Sequence, residues 1–236
     1  MPCLSHSRPA NDDGSALEKI VTLDALIPTE LQEEQALRAD IYALLAALFR
    51  QPPSAELLSW LSELELEPSG QPALDQGWQF VRLAARQTQV AKVEQEYVNV
   101  FIGIGQGEVT PYASWYLTGS LMEAPLIELR RDLRLLGFER DATYKEPEDH
   151  IAALLELMSY LLLQGTSRQR QATFFYRHLA SWMLPFCADV QKAPSAVFYQ
   201  AVGSLAQAFL AQEQALLPQP EEQAQAVQLF VPPQTS

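Results

Sequence analysis

Pro147-Glu148-Asp149-His150-Ile151-Ala152-Ala153-Leu154-Leu155-Glu156-Leu157-Met158-Ser159-Tyr160-Leu161-Leu162-Leu163-Gln164-Gly165 is the stretch whose reading decides the fold. Ile151, Leu154, Leu155, Met158, Leu161 and Leu162 recur at intervals of three and four, which places them on one side of an α-helix. Pro147 suits the first turn, and Glu148 and Asp149 suit the positive end of the helix dipole. Gly165 suits its stop. The pattern predicts a helix that starts at Pro147, runs to Gly165 and buries one side.

Working outward, the same periodicity fills the chain. Towards the C-terminus, Ser167 is placed to cap a helix running through Trp182, Pro185 opens a short one, and Phe198, Val202, Leu205 and Phe209 mark the last. Towards the N-terminus, Glu139 to Lys145 is polar and hinge-like. Before it, Ser120 with Glu123 matches a capping box, Pro125 suits a first turn, and Leu126, Leu129, Leu133 and Leu136 form a stripe closed by Gly137. Gly103, Gly105 and Gly107 alternate ahead of Pro111 and force a loop. Leu74, Trp78, Val81 and Ala85, then Val93, Tyr97, Val100 and Phe101, make two helices or one bent one. Ser54 caps a short helix with Leu57, Leu58 and Leu61, broken by Glu67-Pro68-Ser69-Gly70. Thr29 caps a helix bearing Leu37, Ile41, Leu44, Leu45 and Leu48, ended by Pro52 and Pro53.

No run alternates apolar and polar residues with period two, so the expectation is all-α, a single globular bundle of roughly nine to eleven helices. Residues 1–28 read as a variable, mobile segment and 29–138 as an N-terminal helical half containing the 103–111 loop. A hinge at 139–146 leads to a C-terminal helical half at 147–217 and a Gln- and Pro-rich tail at 218–236.

Composition narrows the function classes. Apolar residues are 48% and charged ones 19% of the chain, which argues for a folded body rather than disorder. The net charge of −13 disfavours a nucleic-acid partner, whose phosphates such a surface repels, and favours a basic peptide at low salt. The same acidity also serves simple solubility. Cys3 and Cys187 have no metal-site spacing, no signal-peptide core opens the chain, and nothing resembles a membrane span. A cytoplasmic protein is expected, with no metal and no cofactor of its own.

Several clusters could carry chemistry, and each has a plainer reading. The loop Phe101-Ile102-Gly103-Ile104-Gly105-Gln106-Gly107 resembles phosphate-cradling loops, but no strand precedes it and no Lys-Ser/Thr follows, so a tight loop is the simpler account. Glu146-Pro147-Glu148-Asp149-His150 gathers three carboxylates and an imidazole where a helix begins. Metal binding lacks a spaced partner, and capping with dipole compensation explains most of it. Spare N–H groups at such a helix start could still grip a partner. Tyr112, Trp115 and Tyr116 around Ser114 anchor an interface or cover the core. His178, among Phe175, Leu179 and Trp182, reads as a packed structural histidine. No serine or cysteine sits in a nucleophile turn beside a base, so no catalytic residue is assigned.

Taken in order, Tyr97-Val98-Asn99-Val100-Phe101-Ile102-Gly103, then Pro111, Ser114 and Tyr116, then Glu146-Pro147-Glu148-Asp149-His150 with Glu156, resemble the signature of the TorD/DmsD family of redox-enzyme maturation chaperones. Phe175, His178-Leu179, Trp182, Phe186 and Phe198-Tyr199 continue the match, which spans residues 35–212. Thr110-Pro111-Tyr112-Ala113 departs from the family's usual double proline, so the local groove need not have the family's shape. Pro111 to Gly119, with Leu133 to Gly137 as L-R-L-L-G, is closer to the formate-dehydrogenase branch.

The resemblance implies an all-helical, non-enzymatic cytoplasmic chaperone, a monomer or a domain-swapped homodimer. Its expected partners are a molybdenum/tungsten-pterin oxidoreductase client and the client's twin-arginine signal peptide. It also implies a peptide site lined by Tyr97, Val100, Phe101, Gly103, Pro147, Asp149 and His150, with Tyr112, Ser114 and Tyr116 close by and Glu148 available to an arginine. Two other classes stay open from the residues themselves: a metal-dependent nucleotide hydrolase using the carboxylates and His150, and a general helical interaction module.

Overall fold

A computed structural model of the chain describes residues 29–103, 106–138 and 146–219. The described residues contain ten α-helices and no strand. They are α1 (Thr29–Arg50), α2 (Ala55–Glu63), α3 (Pro72–Gln87), α4 (Val90–Tyr97), α5 (Ala113–Thr118), α6 (Ala124–Leu135), α7 (Ile151–Leu163), α8 (Arg168–His178), α9 (Met183–Lys192) and α10 (Phe198–Leu216). A π-helical turn, Val98–Ile102, continues α4. The expected 1–28 segment, most of the 139–146 hinge and most of the tail lie outside the described residues, as do Ile104 and Gly105.

Helix α7 is the centre. Its sequence is apolar almost all round, and nine of its residues are buried, which a surface helix could not be. Against it lies α1, burying Ile41, Tyr42, Leu45, Leu48 and Phe49. Helix α10 packs against both α3 and α9. The α3–α10 crossing is close because Gly77 sits in the contact, where a Cβ would come within 2.8 Å of the Leu205 Cα. Since α1 packs on α7 and α3 on α10, elements from both ends of the sequence share one core.

Several local expectations move. Leu37 is 62% exposed, and Arg38 is buried in its place at 5%. The inversion is stable because Arg38 meets Glu213 of α10 with two hydrogen bonds of 2.7 Å, while Tyr42 donates to the same carboxylate at 3.0 Å and Gln171 accepts from Arg38 at 3.2 Å. Ser120 and Glu123 form no capping box. Glu123 takes the N-cap position without a side-chain bond, and the Ser120 N–H goes to the Thr118 hydroxyl instead. Helix α8 stops at His178, short of Trp182, where Leu179 to Trp182 turn the chain into α9.

The largest shift is at Pro147. Pro147 to His150 form a turn, and α7 starts only at Ile151, with Glu148 and Asp149 outside it. The N-cap is His150, whose Nδ1 accepts from the Ala152 N–H at 3.1 Å. Tertiary pairing overrides the local helix signal here, because the backbone at His150 is extended and residues 149–151 are hydrogen-bonded to Pro111–Ala113.

Candidate functional site

The site grows from that pairing. Tyr112 and His150 form an isolated antiparallel bridge, in which the Ala113 N–H donates to the Asp149 carbonyl at 3.0 Å and the Ile151 N–H to the Pro111 carbonyl at 2.9 Å. The aromatic segment after the glycine loop and the acidic segment before α7 are thereby one structure. Side chains reinforce it. Ser114 donates its N–H, at 2.9 Å, and its hydroxyl to Asp149 Oδ2. The Tyr112 ring stands edge-on to His150 with centroids 5.0 Å apart, and its hydroxyl donates to Glu146 at 3.1 Å.

The first aromatic group joins from the other side. Tyr97, at the end of α4, donates to the carbonyls of Phe49 and Arg50 at 3.2 and 2.7 Å. Burial pushes its hydroxyl up to about 12, and the nearby Glu146 adds to the shift. Phe101 packs against Phe49, Tyr97 and Tyr199 at centroid distances of 5.1 to 6.1 Å. Gly103 is at φ +62°, where an L side chain is strained, and an added Cβ would lie 2.0 Å from the Gln106 carbonyl oxygen. The loop folds back on the π-helical turn, with the Val109 N–H donating to Val100 at 2.8 Å. Its far end is held by Glu108, which accepts from the Ser195 N–H at 2.9 Å.

The structure therefore brings together the residues singled out in the sequence, but it buries many of them. Val100, Ser114, Asp149 and His150 have little or no accessible surface, and Tyr97 is buried too. They shape the site from beneath. Tyr116 stacks on Trp182 at 5.5 Å and donates to Asp189 at 2.8 Å, so its role is also to fix α5 against α9. Burial pushes the Tyr116 and Tyr112 hydroxyls well up, with Asp189 and Glu146 respectively adding to it. Pro147 and Glu148 are half-buried, and Arg130 reaches Glu148 at 2.9 and 2.8 Å.

The electrostatics leave two carboxylates with capacity to spare. Glu146 is 40% exposed, 3.8 Å from His150 Nε2. Asp149 is buried, and its Oδ1 has no hydrogen-bond partner among the described residues. Such an oxygen costs on the order of 1–3 kcal/mol or more until something donates to it. Burial drives the His150 imidazole down to about 4, although Glu146 opposes the shift, so it is neutral at pH 7. Since Nδ1 accepts from Ala152, the proton belongs on Nε2, facing Glu146.

Next to these groups lies exposed apolar surface. Trp115, Leu117, Leu121, Met122 and Ile127 are 37%, 42%, 50%, 65% and 67% exposed along α5, the following turn and α6. Met122 adopts φ +61°, unusual for a residue with a side chain. Among the described residues no group of three or more His, Cys, Asp and Glu is placed to hold a metal ion, and no helix is long and apolar enough to cross a membrane.

Sequence reading missed the ionic partners. Asp132 is buried with His178 Nε2 at 2.7 Å and Arg177 Nη2 at 3.0 Å from its Oδ2. The signal was present, since Asp132 lies three residues after Leu129 and four before Leu136, on the apolar face of α6, where an unpartnered acid would be costly. His178 is the packed histidine its neighbours suggest, 7% exposed.

Comparison with known proteins agrees with this architecture. A model of the nitrate reductase delta subunit family matches residues 67–188, just over half of the chain. Curated relatives include the chaperone protein TorD of Vibrio cholerae, 26% identical over 197 residues, covering 75% of this chain and 90% of that protein. TorD of Escherichia coli O157:H7 is 29% identical over 184 residues, covering 71% and 89%. The crystal structure of a putative redox enzyme maturation protein from Archaeoglobus fulgidus superposes with a TM-score of 0.50 at 18% identity, covering 74% of this chain and 93% of that one, which shows the shared fold. Together with the paired Pro111–Ser114 and Glu146–Ile151 segments, these matches establish that the chain belongs to the TorD/DmsD family of redox-enzyme maturation chaperones.

Proposed function

We propose that this chain is a cytoplasmic chaperone that binds the twin-arginine signal peptide and the apo form of a molybdenum/tungsten-pterin oxidoreductase, holding the client until its cofactor is inserted. The observation that carries the reading is the Tyr112–His150 bridge, which sets carboxylates with spare acceptor capacity beside an exposed apolar strip from Trp115 to Ile127. A twin-arginine leader presents two cations followed by an apolar run. The cations find the exposed Glu146, with the buried Asp149 adding its negative charge from beneath, and the apolar run finds Leu117, Leu121, Met122 and Ile127.

Charge steers the encounter and sets orientation, while burial of apolar area at ~25 cal/mol per Å² supplies most of the affinity. Tyr97, Val100, Phe101, Gly103, Ser114 and His150 serve the site by holding its walls in register. Tyr112, Tyr116, Pro147 and Glu148 frame its rim. The Pro111–Gly119 phrase and Leu133–Gly137 favour a formate dehydrogenase as the client.

Isothermal titration of the full chain with a synthetic leader peptide tests this reading. Saturable binding is expected, weakened when both arginines are replaced by lysine, because ammonium groups lose the planar pairing with carboxylate. Absence of binding to the leaders of molybdenum and tungsten oxidoreductases would overturn it.

A further inference from the structure

A groove of about 830 Å³ opens between α3, α4 with its π-helical turn, the end of α9 and the start of α10, and none of its lining residues belongs to the leader site. Phe80, Leu83 and Val197 stand along it, all three exposed. Beside them are the side-chain amides of Gln87, Gln95, Asn99 and Gln200. Gln95 donates to Asn99 at 2.9 Å and Gln200 to the Gln191 carbonyl at 3.3 Å, which leaves each amide further donor or acceptor positions. Only two lining residues carry charge, Lys92 and Glu96. Lys92 is exposed. Glu96 is buried, and its carboxylate accepts from the Val197, Phe198 and Tyr199 N–H groups at 2.7 to 3.1 Å.

These groups describe an occupant. Exposed apolar side chains are best covered by apolar ones, and neutral amides that donate and accept match a peptide backbone, which does the same. A cationic segment finds no open carboxylate in this wall. A second copy of the chain brings a net charge of −13 against one of −13.

The chain itself supplies the match. Residues 223–236 include no charged side chain, and among them stand Val227, Leu229, Phe230 and Val231. They lie beyond the described residues, after α10. Leu217, which caps α10, is thirteen residues past Ser204 in the groove wall, about 20 Å along the helix. Val227 is ten residues further on, about 33 Å of extended chain, enough to return. The way back is clear. Helices α3 and α10 run antiparallel, since Gly77 meets Leu205 while Gln87 and Gln200 share the groove wall. Beyond the groove, the face of α10 that carries Ser204 continues with Ala208, Ala211 and Ala215, none of them large.

We propose that residues 227–231 of this chain lie in the groove, their apolar side chains on Phe80, Leu83 and Val197 and their backbone paired with the amides. Tethering favours this occupant over a free peptide, because a link of that length gives an effective concentration on the order of millimolar. Another uncharged, apolar segment reaches the groove only by displacing it. The inference does not rest on the leader reading.

Paramagnetic broadening of NMR signals in the full chain tests it. A nitroxide is attached at Gln225→Cys, with Cys3→Ser so that the buried Cys187 is the only other thiol. The amide signals of Leu83, Gln200 and Ser204 are expected to lose most of their intensity. They should recover it in the double variant Leu229→Glu, Phe230→Glu, and at Gln200 and Ser204 in Leu83→Glu, which alters an exposed position of α3. No loss at the groove, losses spread evenly over the surface, or losses that persist in these variants would overturn the inference. So would losses on isotope-enriched, unlabelled chains mixed with labelled ones, because a second copy then fills the groove.

Discussion

Ser114 and Asp149, 35 residues apart in the chain, are joined twice, because both the N–H and the hydroxyl of Ser114 donate to Asp149 Oδ2. This pair of hydrogen bonds fastens α5 to the turn before α7 and leaves the second carboxylate oxygen facing no donor among the described residues. Ser114→Ala removes one of the two donors from a buried charge, so a loss of about 1–3 kcal/mol of folding stability is expected. Urea unfolding followed by circular dichroism measures it, and an unchanged midpoint would mean that the pair does not hold the two segments together.

The Arg38–Glu213 pair ties α1 to α10, with Tyr42 and Gln171 as further partners. Arg38→Met strands a buried carboxylate and should cost about 3–5 kcal/mol, as should Glu213→Leu for the converse reason. The double variant should lose far less than the sum. Additive losses in a double-mutant cycle would argue that the two charges act independently.

His150 gives the stability a pH dependence of known sign. Burial lowers its pKa in the folded chain from an ordinary 6.5 to about 4, so the unfolded chain binds more protons between those values. The stabilisation from a neutral His150 is complete above about pH 6.5 and falls away as pH drops towards 4, by at most about 3 kcal/mol. His150→Asn keeps an N-capping acceptor for Ala152 and should flatten the unfolding free energy between pH 6.5 and 5. An unchanged slope in the variant would assign the dependence to carboxylates instead.

Glycines in the left-handed region differ in what surrounds them. Gly103 and Gly119 have φ of +62° and +78°, yet a Cβ at Gly119 meets nothing within 4 Å, whereas at Gly103 it collides with the Gln106 carbonyl. Gly119→Ala should therefore cost about 1–2 kcal/mol of backbone strain alone. Gly103→Ala should cost more and open the loop, seen as faster hydrogen exchange at the Glu108 and Val109 amides, which donate to Asn99 and Val100. Similar exchange in both variants would show that the loop does not close on Gly103.

The sequence by itself determined that the chain is helical and where most helices lie. The three-and-four spacing from Ile151 to Leu162, the cap at Ser54, and the stops at Gly137 and Gly165 are local signals, and each acts through bonds spanning only a few residues. The family motifs were equally legible, because Tyr97–Gly103, Pro111–Tyr116 and Glu146–His150 are contiguous runs of chain. Tertiary structure alone decided which of those motif residues reach the surface and which lie beneath it. It moved the start of α7 from Pro147 to Ile151, since strand-like pairing with Pro111–Ala113 outcompetes a first helical turn. It also turned Arg38 inward and placed Asp132 between Arg177 and His178. A buried charge is stable only where another element supplies its partner, and that partner lies 45 to 175 residues away in the chain, out of reach of any local pattern.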